Sequence, residues 1–235
     1  MILKTEAIVL GQMKWRETSV IVKFYTKNQG LKTGVAKGVR SPRTKGNKGA
    51  ALQVFTHVEL VYYDKDSRDM QLIKSADVIT PFWGLKEEME RTAYGLAVVE
   101  IFEQCVREEE QNEKLFGFLL NILKYFDTAE QDKVQTFIWF MIRLCALLGF
   151  EPDHSRQLKN PKFEIEEGKF IEGFGKEGDE LLYQIANVSN FNFTGIMHTK
   201  ESRTAAINTM FAYLKQHVVG FQRPKSLKVF SQILY

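Results

Sequence analysis

The sequence predicts an α+β protein: an N-terminal five-stranded β-barrel, then an all-helical C-terminal domain with a small β-hairpin insertion. Apolar residues alternate with polar ones through the first 80 residues, as in half-buried strands, and recur at helical spacing from Leu85 onward. Between the two regimes lies Thr80-Pro81-Phe82-Trp83-Gly84, which places the domain boundary near residue 81 and gives domains of 1–80 and 81–235. At 235 residues and 44% hydrophobic, the chain is long enough to bury a sizeable core in each.

Residues 7–10, 20–25 and 31–37 are the first three β-rich runs, with Lys27-Asn28-Gln29-Gly30 as a turn and residues 11–17 as a longer separator. Val54, Thr56, Val58, Leu60 and Tyr62 then alternate with Phe55, His57, Glu59, Val61 and Tyr63, and a turn at 64–69 leads into a fifth run at 71–79. Five strands in about 80 residues is the size of a small closed barrel such as an OB-fold.

The helical half opens with residues 85–107, nearly all apolar through 93–102 and therefore expected as a buried central helix. Asn112 is placed to cap a second helix striped by Leu115, Phe116, Leu119, Ile122, Leu123 and Phe126. Val134, Phe137, Ile138, Met141, Leu144, Cys145 and Leu148 stripe a third, which Gly149 and Pro152 stop. Residues 153–178 break the pattern. Within this acidic insertion, Phe163-Glu164-Ile165 and Lys169-Phe170-Ile171 read as a hairpin across Glu166-Glu167-Gly168, with Phe163, Ile165, Phe170 and Ile171 as its apolar side. Helices resume at 179–186 and 201–217, and a short segment follows Pro224 at 225–234.

Charge divides unevenly. The net charge is +3, yet residues 1–80 hold 14 Lys and Arg against 7 Asp and Glu. From Thr18 to Val58 there is no acid at all, and the eight cations there are Lys23, Lys27, Lys32, Lys37, Arg40, Arg43, Lys45 and Lys48. Such one-sided charge repels itself, and the Gly, Pro and Ser of residues 36–49 free the backbone to follow a phosphate chain. Lys32, Lys37, Arg40, Arg43, Lys45 and Lys48 are therefore the residues expected to bind a polyanion's phosphates. Phe24, Tyr25 and Tyr63 flank them, with a register that decides whether any faces a base. Trp15, Trp83 and Trp139 read as core or boundary residues.

Other chemistries lack a cradle. There is no G-x-x-x-x-G-K-[ST] and no dinucleotide-binding glycine spacing. His57, His154, His198 and His217 are scattered; Asp153-His154 offers two ligands with no second pair, so no metal and no cofactor is expected. Glu108-Glu109-Glu110 points in diverging directions, as an inter-helix turn rather than a nuclease site. Cys105 and Cys145 form neither a disulfide framework nor a metal knuckle, which suits a reducing cytoplasm. No apolar run reaches the roughly 18 residues of a membrane span, and the early charges at Lys4 and Glu6 argue against a signal peptide. Near the C-terminus Lys215, Arg223, Lys225 and Lys228 cluster, and with Arg143 on the third helix they are the candidate contacts for an acidic, hydrophobic-tipped peptide.

Taken end to end, the chain resembles the RecO recombination-mediator family of bacterial DNA repair. The resemblance is carried by Thr5-Glu6-Ala7-Ile8-Val9-Leu10, Glu17-Thr18, Phe24-Tyr25-Thr26, Gly30-Leu31, Ala36-Lys37-Gly38-Val39-Arg40, Leu52-Gln53-Val54-Phe55, Leu148-Gly149-Phe150-Glu151-Pro152 and Lys225-Ser226-Leu227, in that order. It implies an OB-fold, a helical domain and a non-enzymatic, cytoplasmic, nucleoid-associated protein. Such a protein binds single- and double-stranded DNA and anneals complementary strands, which makes DNA the polyanion expected at Lys32, Lys37, Arg40, Arg43, Lys45 and Lys48. With RecR it helps RecA displace the single-stranded-DNA-binding protein, whose C-terminal tail is a further partner. Where many members carry a four-cysteine zinc module this chain has Asp153-His154-Ser155-Arg156, and Val54 stands where proline is common. The electrostatics alone also fit an RNA-binding OB protein of translation or RNA processing.

Overall fold

The computed structural model describes residues 1–40, 48–65, 69–107 and 111–229. Five strands close a barrel: β1 (Ile2–Trp15), β2 (Ser19–Thr26), β3 (Gly30–Ala36), β4 (His57–Tyr63) and β5 (Gln71–Thr80), in spatial order β1-β2-β3-β5-β4. The expected five-stranded barrel is present. All its pairings are antiparallel except the short parallel contact of β3 with β5 at Gly34 and Val35. Alternation fills the interior with Ala7, Val9, Val20, Val22, Phe24, Val58, Leu60, Tyr62 and Ile73. Gly34 is required there, since a Cβ at this position would stand 2.9 Å from Ile73 Cγ1 and 3.0 Å from Phe24 Cε1.

Two boundaries differ from the expected ones. β1 runs on to Trp15 instead of ending near residue 10, because a bulge absorbs Leu10: Val9 pairs with Phe24 but Gly11 pairs with Lys23. β4 begins at His57 rather than Val54. Phe55 has a left-handed backbone (φ 62°), and Phe55 N–H donates to the Val9 carbonyl while Val9 N–H donates to that of Thr56. A one-turn helix, α1 (Lys48–Ala51), precedes this corner.

The expected helix over 85–107 is two, α2 (Trp83–Glu87) and α3 (Met89–Cys105), because Glu88 is extended. Next comes α4 (Glu113–Thr128), where Asn112 Oδ1 accepts Leu115 N–H at 3.0 Å as the expected cap. The remaining elements are α5 (Lys133–Leu147), β6 (Pro161–Glu164), β7 (Lys169–Glu172), α6 (Asp179–Ala186), α7 (Lys200–His217) and α8 (Lys225–Val229). Gly149 at φ 86° ends α5, and a capping box of Thr199 with Ser202 starts α7.

The chain forms two compact units, one of residues 1–95 with 106–128 and the other of residues 96–105 with 129–235. In the first, α4 lays Phe116 on the outer barrel face at Tyr25 and His57, with ring centroids 6.5 and 6.0 Å apart. Asp127 of α4 accepts Leu85 N–H at 3.0 Å through its carboxylate and the Arg91 guanidinium at 2.6 Å through its carbonyl, tying α4 to α2 and α3. The second unit buries α5 almost entirely. It holds the β6–β7 hairpin by Phe163 and Phe170, paired across the strands at 4.7 Å and packed on Tyr213 and Tyr183. Ile165 and Ile171 are only half-buried, so the two phenylalanines carry that packing. No helix among the described residues is long and apolar enough to cross a membrane.

Candidate nucleic-acid interface

On the outer faces of β1, β2 and β3 two stretches differ in what covers them. Below the bulge, Ile8 pairs with Tyr25 on one side and His57 on the other, a row that Phe116 roofs. Above it, Gly11 pairs with Lys23, Met13 with Ile21 and Trp15 with Ser19, while Lys23 and Ile21 pair in turn with Thr33 and Val35. Without the bulge, residues 11, 13 and 15 would continue the inward set of Ala7 and Val9. One extra residue at Leu10 turns them outward. Met13 is 60% exposed and Trp15 38%, and the Arg16 guanidinium lies 6.0 Å from the centre of the Trp15 ring.

The basic stretch starts beside this hairpin. Val39 packs against the barrel core, and Arg40 N–H donates to the Thr18 carbonyl at 3.0 Å in the β1–β2 turn. At its far end Ala51 and Leu52 are core residues. Lys37 and Arg40 are exposed, as are Lys14, Arg16 and Lys23. Lys32 is elsewhere: it pairs with Phe24, so it projects from the opposite face of β3 to Val35 and is half-buried. Arg43 and Lys45 lie outside the described residues, as does the side chain of Lys48 at the start of α1.

Aromatic exposure departs from the sequence expectation. Phe24 and Tyr25 are buried, Phe24 inside the barrel and Tyr25 beneath Phe116, so neither can stack on a base. Trp139 is a core residue as expected, with its indole N–H donating to the Val188 carbonyl at 2.9 Å, but Trp15 and Trp83 are exposed. Sequence reasoning missed Met13, Trp15 and Arg16; the available signal was Gly11, an isolated glycine inside a strand pattern.

In the second unit, Lys215 and Arg223 line one groove of about 650 Å³ together with Asn208, Phe211, Ala212, Gly220, Phe221 and Gln222. Arg223 donates to Asn208 Oδ1 at 2.7 Å and lies 5.4 Å from the Phe211 ring centre. Lys225 borders an adjoining groove of about 220 Å³ with Glu100 and Glu103; its backbone N–H and that of Ser226 donate to the Glu100 carboxylate. The Lys228 side chain is outside the described residues. Arg143 is not brought to this groove. It donates to the carbonyls of Ala186 (3.0 Å) and Val188 (2.8 Å) and to Glu151 (2.7 Å), clamping the end of α6.

Among the described residues no three His, Cys, Asp or Glu converge as metal ligands. Asp153 accepts Ser155 N–H, which holds its carboxyl below the usual range, and His154 Nδ1 meets the Pro152 carbonyl at 2.9 Å. Burial pushes the Cys145 thiol well up.

Comparison with known proteins identifies what carries this arrangement. The family described as Recombination protein O N terminal matches residues 1–82, and that described as Recombination protein O C terminal matches residues 86–228. The chain belongs to the RecO family. It is 29% identical to the DNA repair protein RecO of Flavobacterium psychrophilum, over 98% of each chain, and 30% identical to that of Christiangramia forsetii, over 99% of each. The DNA repair protein RecO of Chlorobium limicola is 34% identical over 66% of this chain and 59% of its own. The RecO matches place the chain in DNA repair and recombination. They divide it between residues 82 and 86, whereas compactness groups α4 with the barrel.

Proposed function

We propose that this RecO-family chain is a recombination mediator that binds single- and double-stranded DNA through the outer face of β1–β2–β3 and the basic stretch beside it. The observation that carries the reading is the Arg40–Thr18 backbone bond, which sets Arg40 against the β1–β2 loop, one of the loops OB-folds use for oligonucleotides. Lys37 and Arg40, with Arg43, Lys45 and Lys48, neutralise phosphates, so affinity comes from counterion release without sequence preference. The chain anneals complementary strands and, with RecR, helps RecA load onto DNA coated by the single-stranded-DNA-binding protein. It works by binding rather than turnover, with residues 1–80 holding DNA and residues 81–235 holding protein partners.

The groove of Lys215, Arg223, Phe211 and Phe221 takes the acidic, hydrophobic-tipped tail of the single-stranded-DNA-binding protein, its cations meeting carboxylates and its phenylalanines the apolar tip. Two experiments test the reading. Complementary strands coated with the single-stranded-DNA-binding protein are expected to anneal faster with the protein present; no acceleration, or equal affinity for matched RNA and no annealing, overturns the mediator role. Replacing Lys215 and Arg223 by Ala in the full chain is expected to abolish tail-peptide binding measured by fluorescence anisotropy; unchanged anisotropy moves the tail elsewhere.

A further inference from the structure

The face turned outward by the Leu10 bulge is an apolar platform inside a basic rim. Trp15 and Met13 project from β1, Ile21 from β2 and Val35 from β3, joined by the Met13–Ile21 and Ile21–Val35 pairings. Ile21 and Val35 are half-buried, and the two β1 side chains are the most exposed. A strand that served only to close the barrel would have no use for a register shift placing a tryptophan in solvent at its end. Bulges recur where a side chain must be re-aimed.

Charge decides what such a surface takes. Lys23 lies on the same face of β2 as Ile21, the Arg16 guanidinium is 6.0 Å from the Trp15 ring centre, Lys37 and Arg40 are exposed beyond the end of β3, and Glu17 is the one acid between Ala7 and Val58. That combination, an aromatic face within a cationic groove, suits unpaired nucleobases whose phosphates run along the rim, since every base offers a π-face and stacking needs no sequence. Duplex DNA hides those faces. We propose that Trp15 is a base-stacking residue, with Met13 beside it, that gives this surface its grip on single-stranded as opposed to duplex DNA. The inference rests on the DNA-binding reading above and adds the residue that separates the two substrates.

The full-length protein is titrated with an oligothymidylate and with a duplex of equal length at fixed salt. Trp15→Ala is expected to lose about 5- to 150-fold in affinity for the oligothymidylate, the range that loss of one stacked base allows, and little for the duplex. Trp15→Phe restores most of the loss. Trp15→Lys, which adds a cation to the rim, is expected to bind oligothymidylate more weakly than the parent; a purely electrostatic surface would bind it more tightly. The salt slopes of Trp15→Ala and Trp15→Phe stay that of the parent, because stacking releases no counterions, and this separates the inference from the phosphate reading. Equal loss on both substrates, unchanged oligothymidylate binding by Trp15→Ala, or a gain by Trp15→Lys overturns the stacking role while the salt slope still reports on the basic stretch. A protein partner lost by Trp15→Ala with DNA binding intact would make the platform a protein-docking surface and overturn it equally. A parent chain with no affinity for oligothymidylate sinks both.

Discussion

The backbone amide of Arg40 donates to the carbonyl of Thr18 at 3.0 Å. Through this bond Arg40, which the sequence follows with Arg43, Lys45 and Lys48, is moored to the β1–β2 turn.

Changing Arg40, Arg43 and Lys45 together to Ala is therefore expected to flatten the dependence of log K on log salt by about 2, at about 0.7 per single-strand phosphate released. Binding should weaken evenly across sequences. A triple variant that folds and keeps the parent's slope would place the DNA surface elsewhere.

Gly34 faces the barrel interior where Ile73 and Phe24 leave no room for a Cβ. Gly34→Ala should cost about 1–3 kcal/mol by overpacking, read from urea unfolding. Trimming Ile73 to Val in the same chain is expected to return part of that loss, and a variant as stable as the parent would refute the close packing.

Arg143 bridges two α6-end carbonyls and Glu151. Arg143→Ala is expected to lower stability by about 2 kcal/mol, given the worth of charged hydrogen bonds. Arg143→Lys should rescue little, as one ammonium cannot span the fork. Tail-peptide affinity should not change; a loss of that affinity at full stability would return Arg143 to the partner site.

His57 is 4% exposed beneath Phe116, and burial lowers its pKa below 6.5 even though Glu6 Oε2, 3.0 Å from Nε2, pulls the other way. Because the unfolded chain takes the proton first, this histidine favours the fold above about pH 6.5 and withdraws that support as pH falls from there toward its folded-state pKa. Tm should drop between pH 7 and pH 5.5 less in His57→Gln than in the parent, as that span brackets an unperturbed histidine. Parallel curves would contradict the assignment.

Chelation is expected to leave Tm unchanged. The segment from Asp153 to the β6–β7 hairpin is tied by Asp153 to Ser155, by the backbone of Asp153 to Gly168 and Phe170, and by Phe163 against Phe170. Near-stoichiometric zinc in the purified protein, or a fall in Tm with EDTA, would show a metal site.

The sequence by itself determined the two regimes, the five strands, the helix stripes, the Asn112 cap, the hairpin and the family, because each is written in local periodicity, in turn and cap chemistry or in residue order. It also determined that the net excess of positive charge is confined to the N-terminal third. Only the tertiary structure decided which side chains face out. Strand alternation has a period of two, so a single bulged residue at Leu10 reverses every later side chain of β1, and whether Gly11 marks such a bulge depends on its pairing with Lys23 rather than on its neighbours in sequence. The same holds for Tyr25, outward on β2 yet buried by a helix some 90 residues further on, and for Arg143, whose carbonyl partners arrive from α6. Contacts between distant segments are set by how the elements pack, which local pattern does not encode.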